Sequence, residues 1–133
     1  MHRRVLVVDD SVLMRHLVAR ALQSDGWEVV GEASNGIEAA EKYRQFRPDA
    51  VTLDITMPEC DGLKAVRMIL DIDPKAKIVV VSALNQTKLI AEAIRAGVQG
   101  FVVKPFLPEH LCETLRETVE EPTFTVPSPL GEG

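Results

Sequence analysis

Cysteine is scarce in this chain: Cys60 and Cys112 are the only two among 133 residues, and neither has a Cys or His nearby at zinc-ligand spacing. A disulfide-stapled scaffold and a zinc module are thereby excluded, and a reducing, cytoplasmic setting fits best. Clustered basic residues are also missing. Lys and Arg total 15 against 20 Asp and Glu, a formal net charge of −5, which opposes the phosphate backbone and argues against direct nucleic-acid binding. Long hydrophobic runs are absent too. The basic opening Met1-His2-Arg3-Arg4 leads into Val5 to Val8, but that run stops at Asp9 and Asp10, far short of a signal-peptide core or a membrane span. The turn after it, Asp9-Asp10-Ser11-Val12, has no glycine-rich phosphate loop, so dinucleotide binding fails as well. No internal repeat is visible. What remains is an ordinary globular composition, 46% hydrophobic and 26% charged, sufficient for one domain with its own core.

Five short apolar runs rich in Val and Ile punctuate the chain: Val5 to Val8, Trp27 to Val30, Ala50 to Leu53, Ile78 to Val81, and Phe101 to Val103. They do not alternate, which predicts fully buried strands. Helical periodicity fills the intervals. It is clearest at Met14, Leu17, Val18, Ala21 and Leu22, and recurs at Leu63, Val66 and Ile69, at Ile90, Ala93 and Ile94 before Gly97, and at Leu111 and Leu115. Ser11 is placed to cap the first helix, Gly26 to end the connection after it, and Asp61-Gly62 and Pro108-Glu109 to open two later helices. Strand and helix thus alternate five times, which predicts a doubly wound α/β fold with a five-stranded parallel sheet and five helices. Residues 121–133 carry Pro122, Pro127, Pro129, Gly131 and Gly133 and read as a flexible tail or linker stub after a domain spanning 1–120.

Ligands in such sheets bind outside the carboxyl ends of the strands. The first strand ends in Asp9-Asp10 and the third in Asp54, so three carboxylates converge on one sheet edge. Their repulsion predicts at least one raised pKa unless a cation lies among them, and hard oxygen donors suit Mg²⁺. The fourth strand adds Ser82 and the fifth Lys104-Pro105. Taken singly, each has a plain reading: Asp10 as a helix-start charge, Asp54 as a turn residue, Ser82 as a cap, Lys104 as a solvated loop lysine. Four of five strands ending in such residues favours a metal-assisted anion site over coincidence.

In Leu6-Val7-Val8-Asp9-Asp10-Ser11, Leu53-Asp54-Ile55-Thr56-Met57-Pro58 followed by Asp61-Gly62, Ser82-Ala83, and Lys104-Pro105-Phe106, the chain resembles the receiver domains of two-component response regulators. The resemblance covers residues 1–120 and is greatest to stand-alone chemotaxis receivers. It implies a flavodoxin-like sheet of order 2-1-3-4-5, with Asp54 as phosphoacceptor from a histidine kinase. It further implies Mg²⁺ held by Asp9, Asp10, Asp54 and the Thr56 carbonyl, phosphoryl oxygens bound by Ser82 and Lys104, and a cis peptide before Pro105. Switching would couple Ser82 to Phe101 on the fifth strand, the ring turning inward and changing the face made by helix four, strand five and helix five. That face would bind a downstream protein, in chemotaxis the flagellar switch. Phe101 as a plain core residue is the competing reading. Thr56 and Leu84 would tune the phosphoryl lifetime. The implied role is that of a signalling module rather than an enzyme, with self-phosphorylation and autodephosphorylation its only chemistry.

An alternative is the amino-terminal receiver of a longer regulator with a DNA-binding or methylesterase output domain. A phosphatase of the haloacid dehalogenase type is disfavoured, because it expects an Asp two residues after the nucleophile and position 56 is Thr. Cys60 reads as a plain loop residue, His2, His16 and His110 as surface residues, Trp27 as packing at the start of strand two, and Cys112 as semi-buried packing.

Overall fold

A computed structural model describes residues 3–58 and 61–120. Five strands alternate with five helices: β1 (Arg4–Val8), α1 (Val12–Ser24), β2 (Glu28–Ala33), α2 (Gly36–Phe46), β3 (Ala50–Asp54), α3 (Asp61–Ile72), β4 (Ile78–Ser82), α4 (Thr87–Ala96), β5 (Gly100–Val103) and α5 (Pro108–Glu120). The strands form one parallel sheet in the order β2-β1-β3-β4-β5. Successive side chains of β1 point to opposite faces, and both faces are covered. Leu6 and Val8 join Val51, Leu53 and Val80 under Ala39, Tyr43, Leu63, Val66, Ile69 and Ala93 of α2, α3 and α4. Val5 and Val7 join Val79, Val81 and Val102 under Val18 and Leu22 of α1 and Leu111 and Leu115 of α5. Two-sided burial is why the central strands read as unbroken apolar runs.

The edges depart from the expectation. β2 begins one residue after Trp27, runs on through Gly31 and Glu32 to Ala33, and is only partly buried over most of its length. A polar continuation is tolerated there because an edge strand has a neighbour on one side only. On the opposite edge, Phe101 of β5 is 45% exposed, which excludes a plain core role. The α1 stripe is also narrower than its periodicity suggests: Val18, Ala19 and Leu22 are buried, whereas Leu17 is 52% exposed.

Caps and turns follow the sequence closely. The Ser11 hydroxyl accepts from Met14 N–H at the start of α1, and Asn35 does the same for Glu38 N–H at the start of α2. Gly26 and Gly97 take φ of 92° and 123°, a region that favours glycine, after α1 and α4. Trp27 and Cys112 are buried, and His16 and His110 are exposed. Among the described residues, no helix is long and apolar enough to cross a membrane. The expectations for Cys60, His2 and the 121–133 tail fall outside the described residues.

Candidate functional site

β1, β3, β4 and β5 are consecutive neighbours in the sheet, so the residues at their carboxyl ends line one edge. Asp9 and Asp10 follow β1, Asp54 and Ser82 close β3 and β4, and Lys104 follows β5. Oxygens of Asp9, Asp10 and Asp54 lie within 4.8 Å of one another. Asp9 and Asp54 are 3% and 4% exposed, while Asp10 faces solvent. Two buried carboxylates and one exposed one fit a hard divalent cation that binds few protein ligands and keeps several waters.

Each member of the cluster is held by the turn that carries it. Asp9 Oδ1 accepts from Ser11 N–H at 2.9 Å. Asp54 Oδ1 accepts from both the N–H and the hydroxyl of Thr56, at 2.9 and 2.6 Å, and Lys104 Nζ lies 3.6 Å from Asp54 Oδ2. One oxygen of Asp54 is therefore fixed and the other faces an ammonium. The Ser82 side chain is fully buried, and its hydroxyl donates to Ala83 O at 2.9 Å. The Lys104–Pro105 peptide is cis.

The pKa of Asp9 is raised to about 6. Burial is the largest cause; the Ser11 N–H opposes it, and the charge of Asp54 adds to it. Repulsion among the acids is present as the sequence predicts, but desolvation outweighs it.

Two side chains make contacts that the sequence reading did not anticipate. Arg15 of α1 donates to Asp9 O at 2.7 Å and to Glu32 Oε1 at 3.2 Å. Asp61 Oδ2 accepts from Gly36 N–H at 2.6 Å, joining the starts of α2 and α3 beside the site. An arginine on the polar side of an amphipathic helix carries no periodic signal, and Asp61 stands in the sequence as a helix start and part of the family motif, with no side-chain partner implied. Leu84 is 79% exposed beyond β4. With Met14, Leu17, Phe106 and Lys104, the lysine that also faces Asp54, it lines a largely apolar groove of about 560 Å³.

The family model described as the response regulator receiver domain matches residues 5–116. The chain is 50% identical to chemotaxis protein CheY of Thermotoga maritima over 117 residues, 88% of this chain and 98% of that protein. It is 44% identical to chemotaxis protein CheY of Bacillus subtilis over 119 residues, 90% of this chain and 99% of that protein. Among solved structures it resembles a chain of the CheX–CheY–BeF3–Mg²⁺ complex from Borrelia burgdorferi, with a TM-score of 0.81 and 32% identity, covering 86% of this chain and 87% of that one. The response regulator domain of Thermotoga maritima CheB matches with a TM-score of 0.83 and 33% identity, covering 90% and 98%.

Proposed function

The chain belongs to the response regulator receiver family, and from that premise we propose that Asp54 accepts a phosphoryl group from a histidine kinase and that the change is passed to a protein target on the face of α4, β5 and α5. The observation that carries this reading is the setting of Asp54, buried, oriented by Thr56, facing Lys104 and adjoining Asp9 and Asp10. Asp9, Asp10, Asp54 and the Thr56 carbonyl would hold Mg²⁺, which supplies neutralisation of charge on the transferring phosphoryl group. A carboxylate oxygen of Asp54 attacks phosphorus, and the bond from phosphorus to the donor imidazole nitrogen breaks with its electron pair going to the ring. Lys104 takes one phosphoryl oxygen as a positive donor. Ser82 takes another once its hydroxyl turns away from Ala83 O. Hydrolysis returns Asp54 when a water oxygen attacks phosphorus and the bond to the carboxylate oxygen breaks.

Register supports a link to the target face. Phe101 pairs with Val80 and Val103 with Ser82, so Ser82 and Phe101 project to the same side of the sheet. The chemotaxis setting, with the flagellar switch as target in the cytoplasm, rests on the near full-length identity to the CheY relatives. A relative solved with CheX, BeF3 and Mg²⁺ is consistent with that reading. Intact mass after incubation with acetyl phosphate and Mg²⁺ tests it. One phosphoryl adduct is expected in the wild type, and none in Asp54→Ala or with EDTA. An adduct that survives in Asp54→Ala overturns the assignment.

A further inference from the structure

Asp9 is held at nearly every polar atom. Its N–H donates to Ala33 O at 3.0 Å, its Oδ1 accepts from Ser11 N–H at 2.9 Å, and its carbonyl oxygen accepts from the Arg15 guanidinium at 2.7 Å. Oδ2 alone accepts no hydrogen bond from the described residues. Asp10 is different. Its carboxylate is exposed and accepts no hydrogen bond among the described residues, so its position depends on the backbone that carries it. That backbone is the peptide joining Asp9 to Asp10, and its carbonyl is the group Arg15 grips.

Arg15 is itself braced. Its Nε pairs with Glu32 Oε1 at 3.2 Å, and the side chain is only 16% exposed. The backbone carbonyl of Glu32 in turn accepts from Lys42 Nζ of α2. The guanidinium therefore spans from α1 to the edge strand β2 and to the end of β1, using two prongs of a rigid fork that an ammonium cannot reproduce. A positive charge set close to a cation site opposes metal binding through charge alone, so its benefit to the site has to be geometric.

We propose that Arg15 is a positioning residue for the divalent cation: by fixing the Asp9–Asp10 peptide it holds the two carboxylates at the separation the ion requires. The inference rests on the reading of Asp9, Asp10 and Asp54 as the metal site. Groups that orient ligands in this way commonly change metal affinity by about tenfold or more when removed.

Calorimetric titration with MgCl2 alone, on the whole chain without a phosphodonor, tests the proposal. Wild type, Arg15→Gln, Arg15→Lys and Asp10→Asn are compared, with circular dichroism of each metal-free protein to establish folding. Positioning predicts Mg²⁺ binding about tenfold weaker in Arg15→Gln, and weakened in Arg15→Lys despite the retained charge. A charge effect predicts the reverse, with Arg15→Gln roughly threefold tighter and Arg15→Lys equal to wild type; either result overturns the proposal. Should Arg15→Gln not fold, Arg15→Lys decides alone. A wild type that binds no Mg²⁺ overturns the metal site and this inference with it. Binding lost in Asp10→Asn but unchanged in both Arg15 variants overturns the inference and leaves the site intact.

Discussion

Asp9 sits 3% exposed beside two other carboxylates, and its pKa is raised to about 6. The metal-free folded protein therefore holds that proton more tightly than the unfolded chain does. Stability falls as pH rises from about 4 toward 6, and the penalty is complete above about 6. Asp9→Asn removes the charge and keeps an oxygen for Ser11 N–H. At pH 7.5 without metal it is expected to unfold at higher urea than wild type, by on the order of 2 kcal/mol, with the difference closing near pH 4. Mg²⁺ should raise the wild-type midpoint by mass action and leave the variant unmoved; equal metal-free stabilities would contradict the account. Leu84, at 79% exposure, adds little to stability. A polar side chain there can instead guide the attacking water, so Leu84→Asn is expected to shorten the aspartyl-phosphate lifetime severalfold after acetyl phosphate is removed, with an unchanged decay rate as the contrary result. The convergence of Asp9, Asp10, Asp54 and Lys104 was legible because their chemistry is concentrated at strand ends, where the α/β topology must bring them together. Arg15 was not legible, because it acts on a backbone carbonyl and that acceptor has no signature in a side-chain pattern.

The elements bring in a different constraint, close packing around Asp54. α3 begins so near the end of β3 that a Cβ on Gly62 would lie 2.6 Å from Asp54 O and 2.7 Å from Ile55 Cα, both backbone atoms. Neither can yield as a flexible side chain does. Gly62→Ala is expected to cost about 2–3 kcal/mol in urea unfolding and to slow phosphorylation of Asp54; wild-type values for both would show that the helix start can shift freely. Tyr43 of α2 donates its hydroxyl to Asp73 Oδ2 just beyond α3, at 2.9 Å. The Asp73 carboxyl is held below its usual range, first by Lys75 N–H and also by that hydroxyl. Stability from this contact is present above the ordinary carboxylate range and is lost as pH falls through the lowered value. Tyr43→Phe should cost about 1 kcal/mol at neutral pH and flatten the acid side of the stability profile. Central strands could be read accurately because burial on both faces writes a continuous apolar run. The edges could not: β2 carries Glu32 within its hydrogen-bonded length, and β5 turns Phe101 outward, so composition there reflects solvent as well as the sheet. The α1 stripe failed for a related reason. Leu17 lines the apolar groove it shares with Leu84 and Phe106 rather than packing under the sheet, and periodicity cannot say which apolar surface a helix keeps uncovered.

For the whole molecule, the question is how a change at one sheet edge reaches a face that a partner can touch. On the proposed function the path runs through β4 and β5, since Ser82 closes β4 at the strand ends while Phe101, on the same side of the sheet, lies alongside Val80. The ring is 45% exposed while the Ser82 hydroxyl is tied to Ala83 O. In that proposal, turning the hydroxyl toward a phosphoryl oxygen would change the packing above Val80 and favour the ring turning inward, provided phosphorylation discriminates between the two arrangements. Phe101→Trp makes the change visible. Trp27 is 3% exposed and contributes a constant, protected background, which wild type measures and which can be subtracted. The added indole should be readily quenched by acrylamide in the free protein, then become protected and shift its emission to the blue with acetyl phosphate and Mg²⁺. Adding Asp54→Ala should abolish the shift, because no phosphoryl group is then bound. Adding Ser82→Ala should leave the phosphoryl adduct detectable by mass but reduce the protection, because the hydroxyl proposed to couple site to ring is gone. Equal quenching in the free and phosphorylated forms of Phe101→Trp would show that the ring does not follow the site, and the partner-facing change would then have to run through α4 or α5 without it.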